Sequence, residues 1–109
     1  MSSDRNLLEE GKIILKHLKE SDCVVILDSQ GKEFSSVEFS EELQRWIFRG
    51  KKLVFIIGGS YGISSEVYKR ADFKLSLSRM TFSHQMARLF FLEQLYRAHT
   101  ILNNEPYHH

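Results

Sequence analysis

Apolar positions along the chain follow two alternating periods. From Asp4 to Lys19, Leu7, Leu8, Ile14, Leu15 and Leu18 recur at helical spacing against a charged face, with Gly11 as a mild weakness. Cys23-Val24-Val25-Ile26-Leu27 is a short β-branched run of the kind that forms a buried strand, closed by Asp28 and a turn-like Ser29-Gln30-Gly31-Lys32. Ser35 and Glu38 have capping-box spacing. Behind them Phe39, Leu43, Trp46 and Ile47 make one apolar stripe, and Gly50 sits where a helix ends, so a helix is predicted over 36–49.

Leu53 to Ile57 reads as a second buried strand running straight into Gly58-Gly59-Ser60-Tyr61-Gly62. A short helix over 64–70, a third strand over 73–77, a loop over 78–83 and a long helix over 84–102 complete the series. Strands alternating with helices predict an α/β fold with a parallel sheet covered on both faces. Such sheets bind ligands beyond the carboxyl ends of their strands. The loops Leu27–Gly31, Gly58–Gly62 and Leu77–Phe82 are therefore expected to meet at one edge.

The last helix departs from the amphipathic pattern. Met86, Leu89, Phe90, Phe91, Leu92, Leu95, Tyr96, Ile101 and Leu102 place apolar groups nearly all round it. The sheet can cover one side, and a second subunit is the expected cover for the other.

Composition narrows the function. With 109 residues there is room for one domain, expected over 1–109. The formal net charge of +1 excludes binding nucleic acid by bulk electrostatics alone. Cys23 is the only cysteine, so neither an intrachain disulfide nor a thiolate zinc cluster forms. There is no apolar leader and no apolar run long enough for a membrane, so a cytoplasmic protein with no membrane partner is expected.

The glycine loop lets backbone approach a ligand, but it is neither the dinucleotide fingerprint nor a P-loop. His84, Arg88 and His99 share one side of the last helix, and Glu93 with Arg97 forms an i, i+4 ion pair. No His, Asp and Glu set has metal-ligand spacing, and no nucleophile triad is present. Trp46 is expected to pack its helix rather than stack on a base, and Lys51, Lys52, Lys69 and Lys74 are scattered.

Four blocks occur in a fixed order: Phe55 to Gly62, Leu75 to His84, Glu93 to Ala98, and Pro106 to His108, with Leu27-Asp28 and Gly31-Lys32 ahead of them. Together they closely resemble the bacterial ribosomal RNA large subunit methyltransferase H family, the pseudouridine N3-methyltransferases of the SPOUT superfamily. The likeness runs from about Asn6 to the end. It implies a parallel-sheet SPOUT fold with a C-terminal trefoil knot, a rarity that spacing does not reveal. It implies S-adenosylmethionine held by Leu27, Gly58 and the run Leu77, Ser78, Arg79, Met80, Thr81 and Phe82. These are the loops that topology brings together.

The resemblance also implies a homodimer whose site is completed by the partner's tail, acting on a pseudouridine of 23S ribosomal RNA within the assembled 70S ribosome. Family members begin with about a strand-helix-strand unit that precedes the first segment here, so the sheet is expected to be shortened and to expose an edge. An alternative follows: a ribosome-binding remnant without a competent site. Ser83 stands where the family usually has proline and is expected to cap the last helix. For methyl transfer to an imide nitrogen, His84 is the candidate base or orienter. Arg97 is the candidate clamp, and Tyr107 with His108 are the candidate substrate-positioning groups.

Overall fold

The computed structural model describes residues 2–58, 62–78, 80 and 82–106. Its elements run α1 (Ser2–His17), β1 (Cys23–Glu33), α2 (Ser36–Phe48), β2 (Leu53–Ile57), α3 (Ser65–Arg70), β3 (Phe73–Ser76) and α4 (His84–Leu102). The strands form one parallel sheet in the order β2-β1-β3, so the first strand lies at the centre.

The period of two in β1 sorts the core into two layers. Cys23, Val25 and Leu27 face α2 and α4, joining Phe39, Leu43, Trp46, Leu75, Phe91 and Ala98. Val24 and Ile26 face the other way, joining Ile56 and Val67, with Ile14, Leu15 and Leu18 of α1 packed over them. Helices thus cover both faces, as the alternation of elements predicts. Phe39, Leu43 and Trp46 bury one stripe of α2, whereas Ile47, expected on that stripe, is half exposed. Trp46 packs edge-on to Phe39 and Phe55 and lies beside Phe73, so it is a core residue. Among the described residues its indole N–H finds no hydrogen-bond acceptor, a rare condition for a buried donor.

The helix ends follow their sequence signals. Ser35 Oγ accepts from Glu38 N while the Glu38 carboxylate accepts from Ser35 N, closing the capping box. Gly50 follows α2 at φ +74°, a conformation that suits glycine. Ser64 and Ser83 cap α3 and α4 through the backbone N–H of Val67 and Met86. The serine that replaces the family's usual proline therefore makes the hydrogen bond expected of it.

Two features differ from the expectation. The segment Ser29–Lys32, turn-like in composition, belongs to β1, which continues to Glu33. Leu27 and Lys32 both pair with Leu75, so residues 28–31 form a bulge between two stretches of pairing with β3. Gly31 is needed there. A Cβ on it would lie 2.8 Å from Leu75 N and from the Lys74 carbonyl carbon. Gly11 also has a use that helical spacing hides. It is buried where α1 crosses α3, and a Cβ there would collide with the Ser64 hydroxyl that caps α3.

Among the described residues, β2 and β3 are the edges of the sheet. Beside β2 runs an open groove walled by Ile13, Ile14, His17 and Leu18 of α1. Among the described residues, no helix is long and apolar enough to cross a membrane.

Candidate functional site

The middle of β1, where its buried run ends, the carboxyl end of β2 and the segment after β3 surround a cavity of about 320 Å³. Leu27, Asp28 and Ser29 come from β1, and Gly58, Gly62 and Ile63 from the connection after β2. Leu77, Ser78, Met80 and Phe82 come from the loop before α4, and His84 and Ala87 from the first turn of α4. The loops that topology brings to one edge do line one cavity. Its size suits a small-molecule ligand of nucleoside dimensions.

Glycines keep the passage narrow and open. A Cβ on Gly58 would stand 3.0 Å from Ile63 and 3.1 Å from the Gly62 carbonyl, so a side chain here must displace the loop or enter the cavity. Gly62 adopts φ +91°, which returns the chain toward α3. Apolar side chains of Leu27, Ile57, Ile63 and Ala87 make much of the lining, while Asp28, Ser29, Ser78 and His84 supply polar groups. This is the mix that holds a flat heterocycle with a polar appendage.

One polar pair on the wall joins elements far apart in sequence. The Tyr68 hydroxyl, from α3, donates to Asp28 Oδ2 at the carboxyl end of the hydrophobic part of β1. This hydrogen bond to the carboxylate, with smaller contributions from burial and from the Asp28 charge, pushes the Tyr68 phenol up to about 12. Lys74 Nζ lies 4.7 Å from the centre of the Tyr68 ring, a cation–π contact from β3. No sequence pattern marks Tyr68. Asp28 carried a signal, as an acid ending a buried strand at the carboxyl edge.

Leu77 and Phe82 also form part of a second cavity, of about 400 Å³, lined further by Phe34, Phe39, Phe90, Glu93 and Gln94. The loop before α4 is thus a wall with a cavity on each side. Phe82 is steadied there by an edge-to-face contact with Phe90 at 4.9 Å.

The remaining candidates fall into separate places. His84 lines the first cavity. Arg97 lies along α4 and donates from Nε and Nη2 to Glu93 at 3.3 and 3.1 Å, the ion pair that the spacing predicts. It lines neither cavity. His99 contacts Asn103 at the far end of α4, so it does not join His84 at the cavity. Arg79, Thr81, Tyr107 and His108 lie outside the described residues, as do Gly59, Ser60 and Tyr61 of the glycine loop. Among the described residues no cluster of His, Cys, Asp and Glu has the arrangement of a metal site. The outer side of α4 presents Leu89, Leu92 and Tyr96, each more than half exposed, while Phe91 and Ala98 face the core.

A parallel sheet with helices on both faces and a cavity at one edge places the protein in the α/β class. Sequence comparison gives the family. A family model described as "Predicted SPOUT methyltransferase" matches residues 1–108, and the chain belongs to that family. Ribosomal RNA large subunit methyltransferase H of Christiangramia forsetii is 65% identical over 102 residues, covering 93% of this chain and 65% of that protein. The proteins of the same name from Flavobacterium johnsoniae and Parabacteroides distasonis are 58% and 59% identical. They are covered over 70% and 65% of their lengths. The resemblance carried by the four sequence blocks is borne out. The chain spans about two thirds of the length of these curated relatives.

Proposed function

We propose that the chain binds S-adenosylmethionine in the carboxyl-edge cavity and methylates N3 of a pseudouridine in 23S ribosomal RNA of the assembled 70S ribosome. One observation carries the reading. Leu27, Gly58, Leu77, Ser78, Met80 and Phe82, cofactor positions by resemblance, line a single cavity of suitable size. The close fit around Gly58 supports it, since glycine is the residue that lets a ligand meet backbone. The cofactor would supply an electrophilic methyl group.

The chain's own part is positional and electrostatic. The imide nitrogen of a uracil ring is protonated at neutral pH, so its attack needs a proton acceptor or stabilisation of the imide anion. His84 stands at the cavity beside the loop that ends in Ser83, within reach of such a role. Arg97, anchored by Glu93, is a structural clamp of α4 or a substrate clamp presented by it. Tyr107 and His108 are assigned to positioning the base across a homodimer. The exposed Leu89, Leu92 and Tyr96 support two-fold association through α4. The reading carries with it the family's C-terminal trefoil knot and a cytoplasmic site of action. A substrate particle that supplies most contacts fits a chain of net charge +1.

Calorimetry of the purified chain with S-adenosylmethionine and S-adenosylhomocysteine tests the cofactor. The parent binds both, Gly58→Val binds neither while keeping its circular dichroism, and a parent that binds neither overturns the reading in favour of a ribosome-binding remnant.

A further inference from the structure

We infer that the Asp28 carboxylate, held in place by the Tyr68 hydroxyl, is the acceptor for the ribose hydroxyls of the nucleoside that occupies the carboxyl-edge cavity. The assignment rests on the cofactor reading above and names the group that reads the sugar.

Position comes first. Asp28 directly follows the buried run of β1, the central strand, at the edge where the loops converge. It is the only carboxylate among the described residues of the cavity lining. An acid at the point where the buried run of the central strand gives way to its bulge, beside the carboxyl end of β2, is well placed for a ribose, whose two adjacent hydroxyls are both donors.

Chemistry comes second. An ionised carboxylate has about four acceptor sites and no donor. Tyr68 fills one of them at Oδ2, which leaves Oδ1 and a further lone pair for a ligand. The phenol is a donor throughout the physiological range, because the carboxylate holds its proton up to about 12. With the phenol donating to Oδ2, the pair presents an acceptor to the cavity. Lys74 over the Tyr68 ring and the buried cluster of Val24, Ile26, Ile56 and Val67, against which Tyr68 packs, restrain the ring that does the holding. Preorganisation of this kind raises affinity by removing the cost of ordering the acceptor when ligand arrives.

Tyr68 is then a positioning residue, acting only through Asp28. This makes a non-additive prediction that a structural role alone does not make.

The test is calorimetry with S-adenosylhomocysteine and its 2′-deoxy, 3′-deoxy and desamino analogues. The parent should lose about tenfold or more in affinity on removal of a ribose hydroxyl, the size expected for a hydrogen bond to a charged group. Asp28→Ala should bind the parent ligand and its deoxy analogues equally. Tyr68→Phe should show an intermediate loss, and the double variant should be no weaker than Asp28→Ala. Asp28→Leu, of similar shape and without a hydrogen-bonding group, serves if Asp28→Ala does not fold. Retained discrimination against the deoxy analogues in the Asp28 variants overturns the assignment, as does loss of discrimination against the desamino analogue instead. A parent chain that binds no S-adenosylhomocysteine overturns the cofactor reading and this assignment together.

Discussion

The two ends of the sheet are built on opposite principles. At the amino end, side chains tie backbone to backbone. Asp72 Oδ2 accepts from Val24 N at 2.8 Å, and Asp72 N donates to the Val24 carbonyl at 2.8 Å. Arg70 donates to the carbonyls of Lys19 and Asp22, and Asp22 accepts from Lys19 N. Every strand entry is closed by a directed bond. At the carboxyl end glycine takes the place of directed bonds. Gly58 lets its backbone lie close against Gly62, and Asp28, Ser29, Ser78 and His84 line a cavity, with Asp28 also bound by Tyr68. Changes at the amino end should therefore cost stability, and changes at the carboxyl end should cost binding.

The sharpest challenge to this division is Gly31, which belongs to the carboxyl half but serves the fold. Gly31→Ala forces a methyl group into the Lys74–Leu75 backbone, and the overpacking should cost about 3 kcal/mol or more in chemical denaturation. A cost below about 1 kcal/mol would mean that the bulge adapts freely. Next in size is Asp72→Ala. It leaves the buried Val24 N–H without its partner and should cost about 1–3 kcal/mol while affinity for S-adenosylhomocysteine stays unchanged. Weakened binding with unaltered stability would erase the distinction between the two ends. Ser35→Ala removes the cap of α2 and should cost about 1 kcal/mol.

Two titrations complete the set with smaller effects. The folded phenol of Tyr68 lies above its ordinary value of 10, at about 12. The stability its bond contributes is thus fully present below pH 10 and lost as pH rises toward 12. Tyr68→Phe should show no such loss, and ultraviolet titration should find a late-ionising phenol that this variant lacks. Glu38 runs the other way. Hydrogen bonds from the Ser35 backbone and side chain hold its carboxyl below the ordinary 4.5, so its contribution is present above that pH and fades as pH falls through the lower folded value. In Glu38→Gln the acid limb of the stability curve should flatten, a change read by thermal melts between pH 5 and 3.

Much of the fold was legible because local signals and tertiary packing agree. The serines at 35 and 83, the glycine at 50 and the β-branched runs at 23 and 53 mark element ends that the structure keeps, and the short helix expected from 64 starts one residue later behind a Ser64 cap. The extension of β1 was not legible, because Ser29 to Lys32 has turn composition and its strand partner is β3, more than 40 residues away. Gly31 looks like a turn residue from its neighbours alone, and only the passage of Leu75 gives it another purpose. The place of the cavity followed from topology, since the ends of parallel strands must converge. The Asp28–Tyr68 contact did not, because it joins residues 40 apart and a tyrosine in a short helix carries no periodic mark.

The strand order also sets a timetable for synthesis. Of the three strands described, β1 is made ahead of β2 and β3 yet sits between them, and its partners on either side follow after α2 and α3. Until β2 and β3 arrive, the apolar run Cys23 to Leu27 has hydrogen-bonding edges on both sides and no neighbour to fill them. The layer beneath α2 then stays open until Phe91 and Ala98 of α4 have been made. Nearly the whole span from β1 to α4 must therefore leave the ribosome before the first strand is sheltered, so the nascent chain passes through an aggregation-prone interval set by topology rather than by final stability.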